Sequence, residues 1–165
     1  MGVSLLRTDK EIADLYEKHV NMVYRLCFTY LKNTFDTEDA VQNTFMKLLR
    51  YPKAFESAEH EKAWLIVTAS NTCKDALRHA SHHDLPLDDY RDSLASLGAD
   101  PVSQELLEAV CSLPQKYKAP VYLYYYEGYS GAEIASLLHK PASTIRNYLH
   151  EARRLLKKQL GGDHL

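Results

Sequence analysis

The chain has 165 residues, 45% of them hydrophobic and 25% charged, with a net charge of −2. That supplies one ordinary domain or two small ones with a core, and it excludes wholesale disorder. No apolar run approaches the length of a membrane span, the charged start MGVSLLRTDKE carries no secretory signal, and Cys27, Cys73 and Cys111 form no C-x-x-C pair, so the expectation is a cytoplasmic protein with reduced thiols, no metal and no membrane insertion.

In chain order, Ile12, Leu15, Tyr16, His19, Val20, Val23, Leu26, Cys27, Tyr30 and Leu31 recur at helical spacing, which predicts a long amphipathic helix stopping near Lys32-Asn33-Thr34. Asp36 is expected to cap a second helix, with Glu38 and Asp39 in its first turn, where the helix dipole favours acids. Val41, Phe45, Leu48 and Leu49 form its apolar stripe, and Pro52 ends it. Lys53 to Glu61 reads as a loop. A third helix is predicted from about Glu61 to His79, with Ala63, Ile66, Val67, Ser70, Cys73 and Leu77 inward and Trp64 as an anchor.

Periodicity fails from Ser81 to Asp100, where Asp84, Asp88, Asp89, Asp92 and Asp100 face a single base, Arg91. This stretch reads as a flexible acidic linker, placed at 83–104 between domains at 1–82 and 105–165. His79 and His83 stand four apart, as metal ligands can, but at a fraying helix end they read as a solvated terminus.

Pro101 opens the next helix, with Leu106, Leu107, Val110 and Leu113 inward. Another is predicted from Pro114 to Glu127-Gly128, kinked or started late at Pro120. Its tyrosines read as packing residues. Ser130-x-x-Glu133 is a capping box, His139-Lys140-Pro141 a turn, and Ala142 to Leu160 a final helix broken by Gly161-Gly162. No strand alternation and no repeat appear.

A short capped helix, a three-residue turn and a longer basic helix make a helix-turn-helix, whose second helix enters the major groove. That helix offers Ser143, Thr144, Arg146, Asn147 and His150 early, then Arg153, Arg154, Lys157 and Lys158. Arginine can grip guanine and asparagine can read adenine, while trailing bases meet phosphate. No phosphate loop, nucleophile elbow or HExxH is present, so no catalysis and no cofactor are expected.

At this point the chain resembles the extracytoplasmic-function sigma factors, the minimal branch of the sigma-70 group, from about Leu15 to Leu160. Asp36-x-Glu38-Asp39-x-x-Gln42-x-x-Phe45 is similar to the family's core-binding signature. Ala63-Trp64-Leu65 with Asn71, Asp75 and Arg78 resembles its promoter-melting helix. Leu113-Pro114, Glu127-Gly128-Tyr129-Ser130, Glu133-Ile134-Ala135 and Thr144-Ile145-Arg146 resemble its second DNA-binding domain. The resemblance implies an all-α fold of two small helical domains, a region 2-like bundle and a region 4-like helix-turn-helix domain. It implies a factor that binds RNA polymerase core (the coiled coil of the largest subunit, and the flap) and directs initiation on promoter DNA, the chemistry belonging to the polymerase. An anti-sigma protein is the further partner implied.

By the same resemblance, Asp36, Asp39, Gln42 and Phe45 would meet the polymerase, although Phe45 reads equally as core. Lys47, Phe55 and Asn71 would contact the melted −10 strand, through phosphate, stacking and a base edge. Ser143, Thr144, Arg146, Asn147, His150, Arg153 and Arg154 would read the −35 element. The chain departs from the family at Tyr148 and Glu151, where bases are usual, at the His139 turn and at Pro120. Two other readings remain open: a stand-alone helix-turn-helix regulator, and a polymerase-binding adaptor with weakened promoter recognition.

Overall fold

A computed structural model describes residues 7–79 and 101–161. The chain divides into two compact units, Met1–Pro86 and Leu87–Leu165. All regular structure among the described residues is helical: α1 Asp9–Leu31, α2 Thr34–Arg50, α3 Ala58–His79, α4 Pro101–Cys111, α5 Gln115–Tyr125, α6 Gly131–Leu138 and α7 Ala142–Leu160. The acidic linker expectation, up to Asp100, and the His83 half of the histidine pair lie outside the described residues. Helix α4 starts at Pro101, ahead of the domain start expected at 105.

In the first unit, α1, α2 and α3 pack pairwise on one another. Thr8 caps α1 through a reciprocal box with Glu11. The core gathers Val23, Leu26, Cys27 and Phe28 from α1, Val41, Phe45 and Leu48 from α2, and Leu65, Ile66, Ala69 and Cys73 from α3. Burial on α1 concentrates from His19 onward, and Tyr16 is 47% exposed although its ring meets Phe45 edge-on at 4.9 Å. Burial also pushes the Tyr30 phenol well above its ordinary pKa.

Two predicted boundaries move. Asn33, not Asp36, caps α2: its Oδ1 accepts from the Asp36 N–H at 2.8 Å, and its Nδ2 donates to the Asp36 carboxylate at 2.8 Å and the Leu31 carbonyl at 3.0 Å. This reciprocal arrangement satisfies more groups than Asp36 could alone, so the helix starts three residues early. Helix α3 likewise starts at Ala58, because the Ser57 hydroxyl accepts from the His60 N–H at 3.0 Å and its carbonyl accepts from the Glu61 N–H at 3.1 Å.

The second unit is a four-helix arrangement around α7. Ala109, Val110, Leu113, Val121, Ala152 and Leu156 form its core, edged by Tyr117, Tyr125, Leu149, Leu155 and Leu160. Helix α5 runs through Pro120 rather than starting after it. It closes on Gly128 at φ 73°, with the Tyr129 N–H donating back to the Leu123 carbonyl at 3.1 Å, a conformation glycine adopts without strain. All three cysteines are buried and free.

Glu61 of α3 makes polar contacts with α1. His19, only 5% exposed, lies 2.6 Å from Glu61 Oε1, and Lys18 reaches the same oxygen at 3.6 Å. Removing a carboxylate from a buried imidazole leaves that ring unsatisfied. Glu61→Ala is therefore expected to lower stability by about 1–3 kcal/mol in urea unfolding, while exposed Lys18→Ala shifts it far less. Equal small effects would place no weight on the buried pair.

Candidate nucleic-acid and partner-binding faces

Helix α2 buries Thr37, Ala40, Val41, Thr44, Phe45 and Leu48. Its other side is thereby fixed outward. Asp39 and Gln42 are exposed, and Asp39 accepts a long 3.4 Å bond from Asn43. Phe35 is 77% exposed and Met46 46%. Counting from Phe35, these residues fall at i+4, i+7 and i+11, one stripe of a helix. A polar pair between two exposed apolar side chains suits a docked helix, in which apolar anchors supply most of the contact energy. Phe35 and Met46 escaped the sequence reading, though the spacing carries them. Of the expected polymerase-binding set, Asp36 is half-buried in the Asn33 cap and Phe45 is 6% exposed in the core. Asp36 is thus occupied at the helix start, and Phe45 packs inward.

The expected −10 residues occupy two places. Lys47 Nζ donates to Thr72 Oγ1 at 2.8 Å, and Thr72 donates to the Thr68 carbonyl at 2.8 Å. Lys47 and Thr72 line a groove of about 390 Å³ between α2 and α3, with Asp39, Asn43, Met46 and Asp75 also on its walls. Asn71 is exposed beside Thr72. Phe55 instead belongs to an aromatic cluster near the start of α3. Tyr51 stacks on it at 5.4 Å, Trp64 lies at 5.8 Å and His60 meets it edge-on at 5.3 Å. Arg7 clamps this cluster: its guanidinium stands 4.7 Å from the Phe55 centroid and donates to the carbonyls of Tyr51 and Lys53 at 3.1 and 2.8 Å. Phe55 is thus a wall, not a free platform. It lines a cavity of about 430 Å³ with Arg7, Glu11, Lys18 and Glu61.

In the second unit, Ser130 and Glu133 form the expected capping box of α6. Hydrogen bonds from Ser130 hold the Glu133 carboxyl below its ordinary pKa. His139 turns the chain in the left-handed region at φ 54°, and the Lys140 N–H donates to the Ala135 carbonyl at 3.0 Å. Helix α7 follows with Ile145, Ala152 and Leu156 buried. Ser143, Arg146, Asn147 and His150 are exposed on the opposite side, and Thr144 is half-buried.

The trailing bases are less free than the sequence suggests. Arg153 Nε donates to the Tyr125 hydroxyl at 3.1 Å, a bond that raises the guanidinium pKa. Arg154 donates Nε and Nη2 to one Glu151 oxygen at 3.2 and 3.1 Å. Tyr148 is half-buried against Tyr117, ring centroids 5.5 Å apart, with Lys116 Nζ 5.0 Å from the Tyr117 centroid. The departure at Tyr148 is thus a packing contact between α7 and α5.

Comparison with known proteins places this geometry. The model of sigma-70 region 2 matches residues 15–83, and that of sigma-70, region 4 matches residues 103–156. RNA polymerase sigma factor SigV of Bacillus subtilis is 30% identical over 149 residues, 89% of each chain. The chain belongs to the sigma-70 family. Among other relatives of this sigma-70 protein, ECF RNA polymerase sigma factor SigW of Bacillus subtilis is 27% identical over 165 residues, covering 90% of this chain and 88% of its own. In fold it resembles the sigma factor RpoE of Bartonella quintana, solved with the anti-sigma factor NepR, at a TM-score of 0.70 and 21% identity over 93% of this chain and 99% of that one.

Glu151→Gln removes one negative charge and releases Arg154. Each added phosphate contact steepens the log–log salt dependence of DNA affinity by about 0.9. Titration of polymerase-bound protein on promoter DNA should show that steepening, and an unchanged slope would mean the Glu151–Arg154 pair already opens on DNA.

Proposed function

We propose that this sigma-70 family protein binds RNA polymerase core through the outer face of α2 and directs it to promoters read by both units. The observation that carries this reading is the pairing, in one chain and in order, of a region 2 bundle and a region 4 helix-turn-helix. A stand-alone regulator needs only the second.

In this reading Asp39 and Gln42 meet the coiled coil of the polymerase's largest subunit, with Phe35 and Met46 as apolar anchors and Asp36 and Phe45 as supports. The melted −10 strand runs over the first unit. An unstacked base enters the cavity walled by Phe55, Asn71 offers its amide to a base edge, and Lys47 exchanges Thr72 for phosphate. Ser143, Thr144, Arg146, Asn147 and His150 face the −35 bases, while Arg153 and Arg154 lie toward the backbone. The second unit also meets the polymerase flap. The RpoE complex with NepR supports an anti-sigma partner here. Such a protein acts in the cytoplasm, and no described helix is long and apolar enough to cross a membrane.

The adaptor reading draws on the Glu151–Arg154 pair, which reduces positive charge on α7. Run-off transcription separates the two. Purified core polymerase, this protein and a pool of promoter fragments should yield transcripts that start only when the protein is added. Alanine at both Asp39 and Gln42 should raise the concentration needed on the order of tenfold, with helix content intact because both are exposed. Polymerase binding without transcripts would favour the adaptor, and no polymerase binding would overturn the proposal.

A further inference from the structure

Residues 51–57 join α2 to α3 without regular structure. Pro52, Lys53 and Ala54 are exposed there, so core burial does not set the path of their backbone. Arg7 reaches that backbone from the other end of the unit's sequence. Its Nη1 and Nη2 donate to the Tyr51 and Lys53 carbonyls at 3.1 and 2.8 Å, across 44 and 46 residues. The same guanidinium stands 4.7 Å from the Phe55 centroid and 5.9 Å from that of Tyr51. A planar guanidinium carries its donors along its edge, so it can bond two carbonyls while its face covers a ring; a compact ammonium does not match that geometry. Arg7 is itself anchored, because Thr8, the next residue, caps α1 in a reciprocal box with Glu11. A capped helix start thereby holds a distant connection in place.

The clamp forms one side of the cavity of about 430 Å³, where Arg7, Ala54 and Phe55 are all lining residues. Other parts of the lining are committed too: Glu11 accepts from the Thr8 N–H at 3.3 Å, and Glu61 lies 2.6 Å from the His19 ring nitrogen. We propose that Arg7 is a positioning residue for promoter DNA: it holds residues 51–55 in the shape that admits an unstacked base of the −10 strand, and acts through Phe55 instead of on the strand. The proposal rests on the −10 reading above. Both terminal nitrogens of Arg7 are engaged by the protein's own carbonyls, so its charge is spent on the loop. A wall fixed before the base arrives spares the cost of ordering a loose connection on binding.

The test uses holoenzyme assembled from core polymerase and the full chain. The probe is a duplex that wild type has selected from random sequence, then mismatched over its −10 segment. Arg7→Gln should weaken binding on the order of tenfold, the scale of one base–aromatic contact, and relax base preference at one −10 position only. Arg7→Lys should recover part of the loss, since it keeps the cation but not the planar fork. Adding Arg7→Gln to Phe55→Leu should cost nothing further, because the two act as one unit. The log–log salt slope should keep its wild-type value. A slope flattened by about 0.7, or additive losses in the double variant, would make Arg7 a phosphate contact and overturn the proposal. Wild-type affinity and base preference in Arg7→Gln, with Phe55→Leu defective, would overturn it as well. Helix content and core-polymerase affinity should match wild type, and their loss in Arg7→Gln would reduce Arg7 to a folding role. If Phe55→Leu itself binds and selects as wild type does, the cavity reading fails and the proposal with it.

Discussion

Which side of a helix is buried decides what its other side can do, and this protein depends on that constraint twice. In the first unit, Thr37, Val41, Thr44, Phe45 and Leu48 bury one side of α2 and so turn Asp39 and Gln42 outward. In the second, Ile145, Ala152 and Leu156 bury one side of α7 and turn Arg146, Asn147 and His150 outward. Neither face is built by a loop. Each is set by core packing, whose tolerance for rotation is small because interiors are close-packed. The exposed residues are therefore presented on rigid supports before any partner arrives, as specific recognition requires.

Electrostatics then adjusts what the packing presents. Helix α7 carries several cations, but they are not equivalent. Arg146 lies among the outward residues of the first turns, while Arg154 shares its charge with Glu151 and Arg153 is steered by the Tyr125 hydroxyl. Exposed pairs of this kind contribute little to stability, yet each changes the charge that DNA would meet. The net charge of −2 shows how little the whole-chain balance says about a local face. What matters is which cations lie on the outward side of one helix and what already holds them.

Local chemistry was the legible part of the sequence. Ser130 with Glu133, Pro141 before α7 and Gly161 after it mark helix ends through groups only a few residues apart, and the structure keeps all three. Ends were misread where several caps competed. Asn33, Thr34 and Asp36 are all good cap residues, and only the reciprocal Asn33–Asp36 bonding selects the first. Tertiary contacts were illegible for a different reason. Phe45 reads equally as core or interface until Tyr16 is found against it, and Tyr148 reads as a lost base until Tyr117 is found beside it. The clamp of Arg7 on Tyr51 and Phe55 joins residues more than 40 positions apart, which no helical period could indicate. Some motif residues, Asp39 and Gln42 on α2 and Arg146 on α7, do fall on the outward sides of their helices.

The central claim is that one chain reads promoter DNA with two separate faces while its polymerase is bound. Sequence selection from a random duplex pool by the assembled holoenzyme tests it most directly, with wild type compared against Asn147→Ala. The account predicts two spaced blocks of preferred bases, with only the upstream block relaxing in the variant. A single block, or an upstream block that Asn147→Ala leaves unchanged, would contradict it.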